Sequence, residues 1–514
     1  MSRWGSIVAV GAIMARTAWT RASGLDPRSF WFDDVYVASL TRLDSLATAV
    51  SVPAPAPPGF VGALWISGRL VSDPEIALQL IPFLSALLTI PLLAYLVVTV
   101  TGNHALGILS AGILALNANS AHYSIFVKPY VTDQLSTLVL LLVAVWVFRK
   151  RESSRLVAAA LLGVVVVLWS FPSVFLSAAL ITVATLGTVR RSGSVVMIGW
   201  SALWIAVGFG LLLGIEYLFV LSPRANAAHK NAWLDGFVPL ESFASFWDFL
   251  ASSGWGALQG ALPLMLRPAT PLVAVGLIWL VAVGLIWLLT RREHRSLAVC
   301  LLLFFVAIVV GSALHLYPIS GGRPGAPELS RTDLFSYPAT ILLFTLGIHA
   351  FTEKLPAGRW LNYALCTVVL WFAIATPLAV AYYPLNHSAF PKFLSARAAP
   401  DDVVILSINA SYLAGFYSSW PIRTEPDDNG AGFHVHLDRP RSLTLSSGTQ
   451  GQDELEAFLA TGRYEKVFYF TTREQGRIPE PLMTTLNRHG YQERERYTSN
   501  IRTALFVFQR SMAR

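Results

Sequence analysis

Charge is what this sequence has little of. Of its 514 residues only 13% are Asp, Glu, Lys or Arg, against about 25% in an ordinary soluble domain. That deficit excludes a water-soluble globule of this size. Cysteine is also scarce. Cys300 and Cys366 are the only two, and both fall inside apolar segments. A disulfide framework and a cysteine-based metal site are thereby excluded. The C-terminal tail contains no glycine-rich phosphate loop and no nucleophile elbow, so neither a P-loop nucleotide site nor an α/β-hydrolase site is expected there. What is abundant is apolar surface: 54% of the residues are hydrophobic and the mean hydropathy is +0.55. A multi-spanning membrane protein fits this composition. The formal charge of +8 does not point to nucleic acid, because the Lys and Arg excess sits in short connectors between apolar runs.

Apolar runs near the length of a span, about 20 residues, fall at 76–100, 104–121, 130–148, 155–171, 173–189, 195–220, 268–290, 296–315, 333–351 and 359–382. The start, MSRWGSIVAVGAIMARTAWTR, has the early arginine and apolar run of a signal peptide but no small-residue cleavage site, and is read as a retained span at 4–20. The fold class expected is therefore mainly α, with about eleven transmembrane helices and a small C-terminal α/β domain. Four connectors are basic: 149–155, 189–194, 291–295 and 352–359. With an inside N-terminus all four face the cytoplasm, as the positive-inside rule requires. Residues 21–75, 222–267 and 316–332 and the tail from about 384 then lie outside the plasma (inner) membrane. The division expected is a membrane domain over 1–383 and an extracytoplasmic domain over 384–514. In the tail, DVVILSI, KVFYFTT and RTALFVFQR read as strands, and DELEAFLATG and PEPLMTTLNRHG as helices, which favours a partly parallel sheet with helical cover. The aromatic stretch NAWLDGFVPLESFASFWDFLASSGWG reads as an interfacial helix.

Three motifs stand in order on the predicted outer side: FWFDDVY (30–36), VPAPAPPGF (52–60) and HYSIFVKPY (122–130). A later segment, SRTDLFSYPATILLFTLGI (330–348), carries an arginine at the outer end of a span. Together they resemble the GT-C superfamily of lipid-linked sugar transferases, such as protein O-mannosyltransferases and aminoarabinose transferases. The resemblance implies transfer of a sugar from a polyprenyl-phosphate donor to a glycan, lipid or protein acceptor, with inversion at the anomeric carbon. It leaves the cofactor open, a divalent cation among the choices. Two positions depart from the family pattern. Asp33-Asp34 stands where Asp-Glu is usual, and Lys128 where arginine is usual; lysine keeps the charge and loses the fork that grips phosphate.

Such a transfer needs a base for the acceptor hydroxyl, cations for the leaving phosphate and a groove for the lipid. Asp33 matches the first acidic position and is the candidate base, with Asp34 orienting it or the acceptor. The ordinary structural role for Asp33 is to cap the helix predicted for VYVASLTRL. Lys128 and Arg331, with Tyr130 and His122, are the candidate donor-phosphate ligands; the ordinary role of the two cations is to reach lipid headgroups. Arg323 is a weaker alternative cation. Asp133 would lie in the outer leaflet, where a carboxylate is functional by default or pairs with Lys128. His434 and His436 form an HVH with no third ligand and read as a strand pattern, and His229 lies in an outer loop. No resident metal site is expected. The rival reading is a transporter or flippase of lipid-linked saccharides, which tends to carry internal repeats; none is visible here. A non-catalytic GT-C relative is the third.

Overall fold

The computed structural model describes residues 3–510 apart from 24, 26–29, 31, 55, 151, 190–194, 217–235, 263–270, 320–330, 377–387, 427–432, 440, 446–448, 463, 473–477 and 499–502. Arg323 and His229 thus lie outside the described residues. The chain forms two compact units: 1–25, 57–60 and 79–381 make a helical unit, and 26–56, 61–78 and 382–514 make a mixed unit. The first predicted outer loop therefore groups with the tail, where a single cut at residue 383 would have grouped it with the apolar helices.

Among the described residues six helices have the length and hydropathy of a span: Pro74–Thr101, Tyr130–Lys150, Val273–Thr290, Arg295–Ala313, Leu334–Thr352 and Gly358–Ala375. The sequence had offered eleven runs. His104–Ala115, Ser153–Trp169, Ser173–Thr188 and Leu203–Ile215 are shorter apolar helices, and Arg3–Ala22 is a more polar one. Local chemistry ends and restarts these helices. Gly102 takes φ +68, which only glycine adopts freely, and the Asn103 side chain then accepts from Ala105 N at 3.0 Å to open the next helix. Close packing also needs glycine. A Cβ on Gly347 would strike the Leu280 carbonyl and one on Gly284 the Leu343 carbonyl, so two helices of the unit meet backbone to backbone.

Three basic connectors share one end of this unit. Arg291 Nη2 lies 2.8 Å from Glu353 Oε1, joining the connectors at 291–295 and 352–359. Arg149 Nη2 donates to Thr99 O at 2.9 Å. Burial lowers the His294 pKa; Glu293 opposes that shift, and Arg149 and Arg291 add to it. The fourth connector lies mostly outside the described residues. This end fixes helix directions. Tyr130–Lys150 arrives here, so Tyr130 is at the far end. Leu334–Thr352 arrives here and Arg295–Ala313 leaves from here, so residues 331–337 and 314–317 are also far. Arg3–Ala22 starts here, with Ser6 Oγ 3.0 Å from His104 Nδ1, and reaches the far end where Arg16 Nε donates to Ile374 O at 3.0 Å.

In the mixed unit, β1 (Val403–Ser407), β2 (Ile422–Pro426), β3 (Phe433–Leu437), β4 (Ser442–Leu445), β5 (Lys466–Thr472), β6 (Tyr491–Thr498) and β7 (Thr503–Arg510) form a five-stranded sheet of order β4-β1-β5-β7-β6 and a separate β2-β3 hairpin. β1 pairs in parallel with β4 and β5, whereas β7 is antiparallel to β5 and β6. The three predicted strands are β1, β5 and β7. β6, YQERERYT, was not foreseen, because it is a charged and largely exposed edge, the pattern that blunts an edge rather than one that announces a strand. Also unforeseen was the Ile408–Tyr417 helix. On β3 the two histidines alternate with buried Phe433, Val435 and Leu437, the strand pattern read from HVH. The predicted interfacial segment contains the Phe243–Ala261 helix, started by a capping box at Ser242 and Ser245, with Phe243 and Trp247 exposed.

Candidate functional site

The acidic pair belongs to the mixed unit. Asp33 and Asp34 lie in the first turn of the Phe32–Ala38 helix. Neither therefore precedes the helix as its cap, although both are well placed for its dipole. They differ in environment: Asp34 is 3% exposed and Asp33 is half-buried. The two adjacent side chains thus differ in their exposure to solvent.

The helix is braced from both ends. Just ahead of it, Phe30 N donates to the Tyr417 hydroxyl at 2.6 Å, and the Phe30 and Phe416 rings stand 5.5 Å apart. The Tyr417 pKa is raised, chiefly by burial and by the charge of Glu75, with Asp34 contributing less. Glu75 is itself buried, in a helix start that Asp73 caps by accepting from Glu75 N at 3.0 Å and Ile76 N at 2.9 Å. At the middle of the acidic helix, Tyr36 stacks 4.6 Å from Phe433 and meets Tyr412 edge-on at 4.7 Å. Beyond it, Trp65 Nε1 and Arg69 Nη2 each donate to Leu43 O at 3.0 Å, and the Arg69 guanidinium lies 3.2 Å from the Trp65 ring centre. The pair Phe30 and Tyr36 of FWFDDVY is thus a packing surface. It seats on residues about 390 positions away, such as Tyr417, which local reading could not find. Glu75 was missed because SDPE reads simply as a helix start.

The cationic candidates belong to the helical unit, at the end away from the basic connectors. KPY forms the entry to the Tyr130–Lys150 helix. Lys128 N donates to Phe126 O at 2.8 Å, and Thr132 Oγ1 and Asp133 N close on Pro129 O at 2.5 and 2.7 Å. Lys128, Tyr130, His122 and Arg331 are all half-buried. The Arg331 guanidinium lies 5.9 Å from the Tyr130 ring centre. Tyr130 is 5.1 Å from Tyr123, whose ring in turn meets His122 at 4.9 Å. Three predicted ligands, Tyr130, His122 and Arg331, are therefore linked through ring contacts. Burial lowers the His122 pKa, so at neutral pH it is uncharged and offers a single N–H rather than a cation.

Asp133, which the sequence singled out, and Tyr317, Asn117, Asn119 and Tyr337, which it did not, complete this cluster. Tyr317 donates its hydroxyl to Thr332 O at 3.1 Å, and its pKa is raised, chiefly by burial, with Asp133, Tyr130 and Asp333 adding to it. Asp133 is 4% exposed, and among the described residues its Oδ1 has no hydrogen-bond partner. Asn119 Nδ2 donates to the Tyr337 hydroxyl at 3.1 Å, and a Cβ on Gly260 would collide with that same hydroxyl. Asn117 donates to Gly260 O at 2.6 Å and, through its carbonyl, caps the Ala118–Tyr123 helix. A run of Tyr, Asn and Thr in apolar sequence is the signal that could have flagged it. Among the described residues no three His, Cys, Asp or Glu side chains stand together as a metal site.

No family model matches the sequence, and no curated protein does. Solved structures do, two of ArnT among them. The chain is similar to ArnT. With ArnT from Cupriavidus metallidurans in the apo state it shares 11% identity at a TM-score of 0.44, over 99% of this chain and 98% of that one. With the same ArnT bound to undecaprenyl phosphate the identity is again 11% and the TM-score 0.44, over 98% of each chain.

Proposed function

We propose that the chain is an integral membrane glycosyltransferase that moves a sugar from a polyprenyl-phosphate donor to an acceptor on the extracytoplasmic face. Asp33 takes the proton of the acceptor hydroxyl. The freed oxygen attacks the anomeric carbon, the bond from that carbon to the phosphate oxygen breaks, and the electron pair leaves with the lipid phosphate. Attack opposite the leaving group inverts the anomeric centre. Asp34, buried beside it in sequence, orients the base. Lys128 and Arg331 neutralise the charge that grows on the leaving phosphate, with Tyr130 and His122 as hydrogen-bond donors.

The observation that carries this reading is the gathering of Arg331, Tyr130 and His122, from segments some 200 residues apart, at the end of the helical unit away from the basic connectors. A phosphate on a membrane-embedded lipid would meet cations there. Mass spectrometry of surface glycans and lipids from cells with and without the protein tests it. Loss of one glycosylated species on deletion, its return with the wild-type gene, and accumulation of a polyprenyl-phosphate sugar are expected. An unchanged profile would dispose of the reading.

The orientation has its own test. Cys300 and Cys366 are buried, so a cysteine at exposed Ala457 in the Thr449–Ala460 helix reports alone. A membrane-impermeant maleimide should label Ala457→Cys in intact spheroplasts. Labelling only after lysis would put the tail in the cytoplasm and reverse the proposed face.

A further inference from the structure

Arg21 sits in the last turn of the Arg3–Ala22 helix and is 1% exposed. A guanidinium stays charged at any cellular pH. Yet among the described residues Nε and both terminal nitrogens make no hydrogen bond. The helix's own carbonyls do not serve it. Trp19 O accepts from Ser23 N, Thr20 O from Ser23 Oγ and Ala22 O from Leu25 N, while Arg16 O and Thr17 O accept from Thr20 Oγ1. The neighbouring helices do not serve it either. Arg3–Ala22 packs on His104–Ala115 and Gly358–Ala375, and neither HALGILSAGILA nor GRWLNYALCTVVLWFAIA contains an acidic residue.

A buried charge without a counter-charge is strongly unfavourable, so something outside these helices must complete it. Three orphaned donors in a rigid fork call for more than one oxygen on the same group, which is the shape of an oxyanion. The position narrows the choice. Arg21 is at the far end of its helix from the basic connectors, the end that also holds Lys128, Tyr130 and Arg331. From this we infer that Arg21 is a ligand for a phosphate group at this end of the helical unit, carried either on a lipid or by free inorganic phosphate. The inference does not depend on the transferase reading, since a carrier of lipid phosphates would need the same anion.

The test is thermal unfolding of the purified full-length protein in a non-ionic detergent, for wild type, Arg21→Met and Arg21→Lys. Each is measured alone, with inorganic phosphate and with undecaprenyl phosphate. Replacing an unpaired buried charge by an apolar side chain of similar length should raise the Tm of the ligand-free protein. The same substitution should abolish the phosphate-dependent rise seen in wild type, and Arg21→Lys should keep part of that rise with an affinity lowered about tenfold or more. A rise with inorganic phosphate identifies a free-anion site; a rise with undecaprenyl phosphate alone identifies a lipid headgroup site. A lower ligand-free Tm for Arg21→Met, or its failure to fold, would mean that Arg21 already has a protein counter-charge and overturns the inference. An undiminished phosphate response in Arg21→Met overturns it equally.

Discussion

Purified Asp33→Asn is expected to lose about 10²-fold or more in kcat while its KM for the lipid donor stays close to wild type. The substitution keeps size and polarity but removes the negative charge and the ability to accept a proton. The fold of the helix has supports of its own. The helix bearing Asp33 is held by the Phe30–Tyr417 hydrogen bond at 2.6 Å and by the Tyr36 contacts with Tyr412 and Phe433, none of which involves the Asp33 carboxylate. Asp33 is half-buried, so an acceptor hydroxyl can reach it, whereas Asp34 is 3% exposed and cannot be approached in the same way. Asp34→Asn should therefore cost less in kcat. Asp34→Glu should keep turnover, because glutamate is the usual residue in the family that the motif resembles. It should also lower the Tm, because an added methylene in a closed site costs about 1–3 kcal/mol. Turnover of folded Asp33→Asn at the wild-type rate would remove Asp33 from the chemistry and leave it a residue of the helix's first turn.

Lys128→Ala and Arg331→Ala should each lower kcat/KM for the donor by roughly 10–100-fold, the range of one lost charge-assisted hydrogen bond of about 1.5–3 kcal/mol. Most of the loss should appear in donor KM, with a fall in kcat as well, because negative charge on the phosphate grows toward the transition state. Lys128→Arg should retain much of the activity, because arginine is the usual residue there in the family that the motif resembles and keeps the charge. Arg331→Ala also strips the cation from the Tyr130 ring face, 5.9 Å away; Tyr130→Phe keeps that ring and isolates the hydroxyl. Steady-state kinetics against varied donor separates these effects. Wild-type constants for both alanine variants would place the phosphate elsewhere, and Arg323 would be the next cation to test.

The apolar runs were legible because hydropathy is a local property. The long helices Tyr130–Lys150, Arg295–Ala313 and Gly358–Ala375 need no distant partner to be recognised. The basic connectors were legible for a related reason: a cation beside a span has to stay in water, and the ion pair Arg291–Glu353 at 2.8 Å joins two of them at one end, as shared location requires. Short helices such as Ile408–Tyr417 and the exposed edge β6 were not legible, since their stability comes from the elements they pack on and not from their own periodicity.

By itself the sequence determined a multi-spanning helical protein with an α/β tail, and it marked Asp33, Asp34, Lys128, Tyr130, His122 and Arg331 as the residues to examine. Only the tertiary structure decided that the first loop groups with the tail, through contacts such as Phe30 to Tyr417 across 387 positions. It alone separated a buried Asp34 from a half-buried Asp33, and it alone showed Arg21 buried with none of its nitrogens paired among the described residues. The physical reason is common to all three. Burial and pairing are properties of neighbours in space, and a chain names its neighbours in sequence.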